Sequence, residues 1–269
     1  MFKRIMSKFS KPPATSTLPQ PIGSSDSVLT SGPDEIWDEA YADRSAECRQ
    51  RFWSDLGNVD PDVIAYVINP SFMGEAQWPG LTQRYRVIRR ANSVIITSDG
   101  LSDPFSGAQG AGNGFENEFF IETSDIPEAF LGRHGNVADL GNSWAFPILA
   151  SVCRTVAGVG GIADRLKSLG VLSMEIPGAE NESRIYDQLP KHFIAEGNRL
   201  GVLIGAPKPD FDCTMIGMPL TEVVAVPIVL LTAAELVEAE QGGAEARRAV
   251  ASRLEISGVG HRSQFKRPL

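Results

Sequence analysis

The stretch F-E-N-E-F-F-I-E-T, residues 115–123, decides the class of fold. Phe115, Phe119 and Ile121 fall on one side at period two. Glu116, Glu118 and Glu122 fall on the other, joined by Phe120. Alternation of this kind predicts a half-buried β-strand whose acidic side faces solvent. Upstream, 84–89 and 93–98 read as two strands, close enough across Arg90-Ala91-Asn92 to form a hairpin. Residues 99–114 hold five glycines and one proline, which predicts a long loop between hairpin and strand.

Further upstream, Pro33 with Asp34 and Glu35 suits the positive first turn of a helix. Trp37, Tyr41, Cys48 and Phe52 recur at helical spacing until Gly57. A strand is expected at 63–68 and a loop around Pro70, Gly74, Pro79 and Gly80. Downstream, Trp144, Ile148, Val152 and Val156 mark an amphipathic helix with Pro147 in its first turn. Gly158–Gly161 reads as a break before a second helix at 162–169. It lacks the Lys-Ser/Thr of a phosphate loop and follows a helix, not a strand. Strands are expected at 171–176, 201–205, 213–218 and, apolar on both faces, at 222–231. Pro227 in that last run implies a bulge or a neighbour lost there. Thr232-Ala-Ala-Glu235 forms a capping box. Gly242-Gly243 should end that helix, and 244–254 should make another. Helices and strands mixed without βαβ alternation predict a single α+β domain, a mixed or antiparallel sheet with helices packed on it.

Residues 1–33 carry Lys3, Arg4, Lys8 and Lys11 against Asp26 alone, among Ser, Thr, Pro and Gly, and read as a flexible tail. The domain should run over 34–258, with 259–269 a basic, frayed C-terminal tail. Over the whole chain, 42% hydrophobic and 22% charged residues are ordinary for a globular protein. The net charge of −8 argues against nucleic acid and fits a cationic protein partner. Cys48, Cys153 and Cys213 form no CxxC pair and no disulfide framework, which suits a reducing compartment. Neither a secretion signal nor a membrane span can be read, so a cytoplasmic place without membrane contact is expected.

Chemistry is sparse. His134, His192 and His261 are scattered without a metal-ligand spacing. No G-x-S-x-G elbow occurs. Cys153 sits on an apolar helix face, where a packed, inert thiol is expected. No catalytic residue, metal or cofactor is assigned. The strongest local feature is charge. Between Arg90 and Arg133 there is no Lys or Arg, while Asp99, Asp103, Glu116, Glu118, Glu122, Asp125 and Glu128 fall in that gap. They suggest a negative surface, either merely solvated or a partner site. Asp99, Ser102 and Asp103 in one loop also have the oxygens that calcium accepts, without an EF-hand spacing.

Two motifs carry a resemblance: S-D-G-L-S-D-P-F at 98–105 and G-F-E-N-E-F-F-I-E-T at 114–123. They are similar to the Suppressor of Fused (SUFU) domain, whose members carry G-L-S-D followed by G-[FY]-E-x-E-[FL]. The helix at Trp144, the strand near 227–231 and the Thr-x-x-Glu helix start extend the resemblance over roughly 60–256. It implies binding without catalysis. Animal relatives hold a transcription-factor peptide partly by strand addition. Bacterial relatives look like immunity proteins encoded beside secreted toxins. Ile95 and Ile96 stand where the animal family has aromatic residues, which favours the bacterial type.

The expected function is therefore an immunity protein that neutralises a toxin, plausibly a cationic nuclease, by direct binding. Asp99, Asp103, Glu116, Glu118 and Glu122 would supply the charge, and Phe105 and Phe120 the apolar anchors. Gly100, Leu101, Ser102, Gly112 and Gly114 would shape the loop. The alternatives are an adaptor that adds a peptide strand to an open sheet edge, and a hydrolase using a carboxylate pair from Asp99, Asp103, Glu116 or Glu118.

Overall fold

The computed structural model describes residues 33–80, 83–105, 112–179 and 183–267. Of the tail expected at 1–33, all but Pro33 lies outside the described residues, as does the side chain of Trp37. Helix α1 (Pro33–Leu56) leads into β1 (Asn58–Ala65), and the hairpin β2 (Arg84–Arg89) and β3 (Val94–Asp99) follows. After the loop come β4 (Asn117–Thr123), a short α2 (Glu128–Leu131), α3 (Ala145–Val159) and α4 (Ile162–Leu169). The chain closes with β5 (Leu172–Glu175), α5 (Ser183–Tyr186), β6 (Gly201–Ile204), β7 (Val224–Leu231) and α6 (Ala233–Ile256).

Among the described residues the strands form one seven-stranded sheet in the order β1-β2-β3-β4-β7-β6-β5. Only β4 and β7 run parallel; the other neighbours are antiparallel. The sheet is thus mixed, with helices packed on it, a single α+β domain. Gly243 has a non-helical backbone, so α6 is two helical pieces broken where the glycine pair stands.

Both faces of the sheet are covered. On one, Tyr85, Val87, Ile96, Phe119, Ile121, Val226 and Ile228 pack with Ile148, Leu149 and Val152 of α3. On the other, Trp53 of α1 meets Ile88, Ile95 and Phe120, joined by Met215 and Val223. Further along that second face, Leu236, Ala239, Val250 and Leu254 of α6 cover Leu203, Val229 and Leu231. β4 lies at the centre with every residue buried. The half-buried strand expected at 115–123 is therefore buried on both sides, because α1 folds back over the face that carries its glutamates.

Pro227 sits where ladders end. Ile204↔Ile228 closes the β6–β7 pairing, and Phe120↔Pro227 closes the β4–β7 pairing. The proline has no N–H to give, and its carbonyl accepts from Gly205 N at 2.9 Å. The expected strand at 213–218 is reduced to an isolated bridge, Thr214↔Val224.

The C-terminal residues are not frayed, contrary to expectation. Ser263 N donates to Glu122 O at 2.8 Å, Leu230 N donates to Ser263 Oγ at 2.9 Å, and Phe265 N donates to Asp125 Oδ2 at 2.6 Å. Phe265 also packs against the rings of Trp144 and Phe193. The segment fills the gap that opens between β4 and β7 beyond Pro227. Its hydrogen bonds offset the cost of ordering a basic, polar stretch.

Candidate functional site

The glutamates of β4 point into three separate environments. Glu118 is fully buried beside the turn that follows β3. Its Oε1 accepts from Gly100 N at 3.0 Å, Ser102 N at 2.9 Å and Ser102 Oγ at 2.6 Å, and its Oε2 accepts from Ser98 Oγ at 2.5 Å. The G-L-S-D turn is thus wrapped round the second glutamate of E-x-E. Each half of the motif satisfies polar groups that the other would leave bare. Gly100 has φ of +133°, which lets its N–H turn toward that carboxylate. Leu101 is buried in the core beside it. Gly114 has φ of +49°, and a side chain there would collide with the carbonyls of Leu101 and Asp103. Gly112 lies against Thr221.

Arg49 completes this hub from α1. It is 0% exposed; its Nε lies 2.8 Å from Asp99 Oδ1 and 3.7 Å from Glu118 Oε1, and its Nη2 lies 2.6 Å from Asp103 Oδ1. Arg84 and Arg86 approach Asp99 Oδ2 from β2 at 3.0 Å and 2.8 Å. Burial pushes the Asp99 carboxyl up, but Arg49, Arg86 and Arg84 outweigh it and hold the group below its ordinary value. Asp103 goes the other way: burial raises it, and Arg49 only partly offsets this. Of the oxygens offered to calcium, one of Asp99 and one of Asp103 lie against Arg49, and the second of Asp99 lies against Arg84 and Arg86. Among the described residues no group of His, Cys, Asp and Glu is poised for a metal.

Asn113, between the two glycines, locks the loop. Its Nδ2 donates to Ser45 Oγ at 2.8 Å and Ser102 O at 2.9 Å, and its Oδ1 accepts from Leu220 N at 2.9 Å.

Glu122, also 0% exposed, forms a second cluster. It receives Arg90 Nη1 at 3.0 Å, Ser93 Oγ at 2.6 Å, His261 Nε2 at 2.8 Å and Arg262 Nε at 3.2 Å. Burial works against the charge, yet the His261 and Ser93 hydrogen bonds and the nearby cations pull its pKa down to about 2. A folded value below the unfolded one means stability that is present above about pH 4.5 and is lost as pH falls toward 2. The Glu122→Gln variant should show less of this acid loss in urea titrations between those limits. An unchanged slope would show that the cluster does not couple to folding.

Glu116, with an unusual φ of +57°, stays half-exposed and pairs with Lys167 at 3.3 Å. Phe105 is 39% exposed and rests edge-on against Phe115. Phe120 is buried between Trp53 and Phe211.

These placements correct the expected acidic interface. Asp99, Glu118, Phe120 and Glu122 are not on the surface, and Asp103 is largely covered. The stretch between Arg90 and Arg133 lacks cations in the sequence, but cations reach it in space from α1, β2 and the C-terminal segment. Like charges on a strand face can be buried only when opposite charges come with them. Of the carboxylates weighed for hydrolysis, Asp99, Asp103 and Glu118 lie against Arg49, and Glu116 pairs with Lys167. Arg49 escaped the sequence reading, and its one sequence signal is its place four residues before Trp53; the structure buries Ser45, Arg49 and Trp53 along one inner stripe of α1. Cys153 is fully buried and its thiol is pushed up by burial, as expected for an inert core residue.

Two surface features lie elsewhere. The loop after β1 exposes Val67 (103%), Ile68 (63%), Phe72 (76%) and Met73 (77%) within a few residues of one another. A groove of about 550 Å³ opens at the start of β4 and β7, bounded by α4 and the 208–214 loop. Among the described residues no single helix is long and apolar enough to cross a membrane. Compared with models of protein families, with curated proteins and with solved structures, the chain matches none.

Proposed function

We propose that the chain is a non-catalytic protein-binding domain of the bacterial Suppressor of Fused type, an immunity protein that neutralises a toxin in the cytoplasm by direct binding. The contact surface is the apolar loop at 66–73 and not the acidic strand. The observation that carries this reading is the exposure of Val67, Ile68, Phe72 and Met73 in one short loop. Large apolar side chains gathered at a surface are costly in water and mark places where another protein docks. The net charge of −8 then favours a cationic partner, such as a nuclease, through steering at long range. The resemblance in 98–123 supplies the toxin-neutralising form of the proposal. The motif itself works as architecture, holding the β3–β4 loop on Arg49.

Peptide capture by strand addition finds less support. β1 and β5 are the outer strands of the sheet. The register of β1 slips between Val59 and Val63, where Pro61 stands between Asp60 and Asp62. A bulge, a proline and two carboxylates blunt an edge against pairing. β5 is only four residues long.

Co-expression with the toxin encoded beside this gene tests the proposal. The wild-type chain should restore growth. Phe72→Asp with Met73→Asp should lose the rescue and weaken binding by at least about 2 kcal/mol, as for a centre of interface energy. Its melting temperature should stay near that of the wild type, because both side chains are exposed. Rescue by the double variant, or no rescue by soluble wild type, removes the reading.

A further inference from the structure

Beside the groove at the start of β4 and β7 lies a buried acceptor that nothing among the described residues uses. Asn117 lines the groove, is only 4% exposed, and its Oδ1 has no hydrogen-bond partner among the described residues. A buried amide oxygen left bare costs about 1–3 kcal/mol, so such an atom calls for a donor. The preceding residue, Glu116, is a non-glycine at φ +57° and lines the same groove. Backbone strain of this kind persists where the surroundings over-determine it, and binding sites are common among such places. Two independent departures from ordinary structure thus meet at one cavity.

The walls define what fits. Leu166, Phe211, Val226 and Pro227 give an apolar body. Of the five charged residues that line the groove, Lys208 and Glu222 make no hydrogen bond or ion pair among the described residues. The other charges are engaged: Glu116 with Lys167, and Asp212 with the backbone of Thr214. Burial pushes the Cys213 thiol up to about 11, so it stays protonated and adds no charge. A volume of about 550 Å³ lies in the range of small-ligand sites.

We infer that this groove binds a short zwitterionic peptide with apolar side chains, of dipeptide size. An N–H of the peptide donates to Asn117 Oδ1, its ammonium pairs with Glu222, its carboxylate with Lys208, and its side chains lie against Phe211, Leu166 and Val226. The site is distinct from the apolar loop at 66–73, so this inference stands or falls apart from the toxin-binding proposal.

Calorimetric titration of the full chain with leucyl-leucine tests it. The wild type should bind, and N-acetyl-leucyl-leucinamide, which lacks both charges, should bind at least about fivefold more weakly. Asn117→Val should remove binding while raising the melting temperature, since an apolar residue relieves the unpaired oxygen. Should that variant fail to fold, Lys208→Gln and Glu222→Gln decide, each expected to weaken binding roughly two- to fivefold. No binding by the wild type up to about 10 mM, where even feeble affinities register, overturns the inference. So does equal binding of the blocked peptide, or unchanged affinity in Asn117→Val.

Discussion

Arg49→Ala should cost about 3–5 kcal/mol of folding stability, the range for removing one partner of a buried charge pair. Against a typical total of about 5–15 kcal/mol, that would leave many domains barely folded. The reason is what the substitution leaves behind. Asp99 and Glu118 are 0% exposed and would lose the guanidinium that neutralises them, and Asp103 would lose its partner at 2.6 Å. Arg84 and Arg86 still reach Asp99 from β2, so that carboxylate keeps part of its compensation. Glu118 keeps the hydroxyl and N–H donors of Ser98, Gly100 and Ser102. Arg49→Lys should fall between, because an ammonium restores the charge but not the fork that serves three carboxylates. Denaturation midpoints of the three proteins in urea provide the measurement. A loss below about 1 kcal/mol in Arg49→Ala, the scale of a surface pair, would mean that the hub is solvated and that the acids face water after all.

Phe119→Ala and Phe120→Ala should each destabilise by about 3–5 kcal/mol, the ordinary cost of truncating a buried phenylalanine. The pair is informative because the two rings point to opposite faces of β4. Phe119 packs in the core with α3, and Phe120 packs with Trp53 of α1. Both are 0% exposed. A sheet with one solvated face would make Phe119→Ala severe and Phe120→Ala nearly neutral. Equal, large losses are expected here, measured by thermal and chemical unfolding. A mild Phe120→Ala would mean that α1 does not cover this face.

The period-two pattern at 115–123 was enough to place a strand there. The short Arg90–Asn92 connection was enough to join two others in a hairpin. Both are local consequences of side-chain alternation and chain reach. The same holds for the capping box at Thr232 and Glu235, for the helix over Ala145–Val159, and for the backbone break at Gly243. Pro227, from its missing N–H alone, implied a bulge or a lost neighbour, and the structure shows the second. What local pattern could not reveal is which side of β4 meets water. Alternation distinguishes the two faces but does not say that a distant helix will cover the polar one. The fate of Glu118 and Glu122 was decided by residues far along the chain, Arg49 at one end and His261 with Arg262 at the other. The basic C-terminal stretch looked like a tail for the same reason. Its partners, Glu122 and Asp125, are about 140 residues away in sequence and adjacent only once β4 and β7 separate beyond Pro227. Charge pairing and burial act through space, so the order of residues settled the elements, and only their packing settled which charges are surface and which are core.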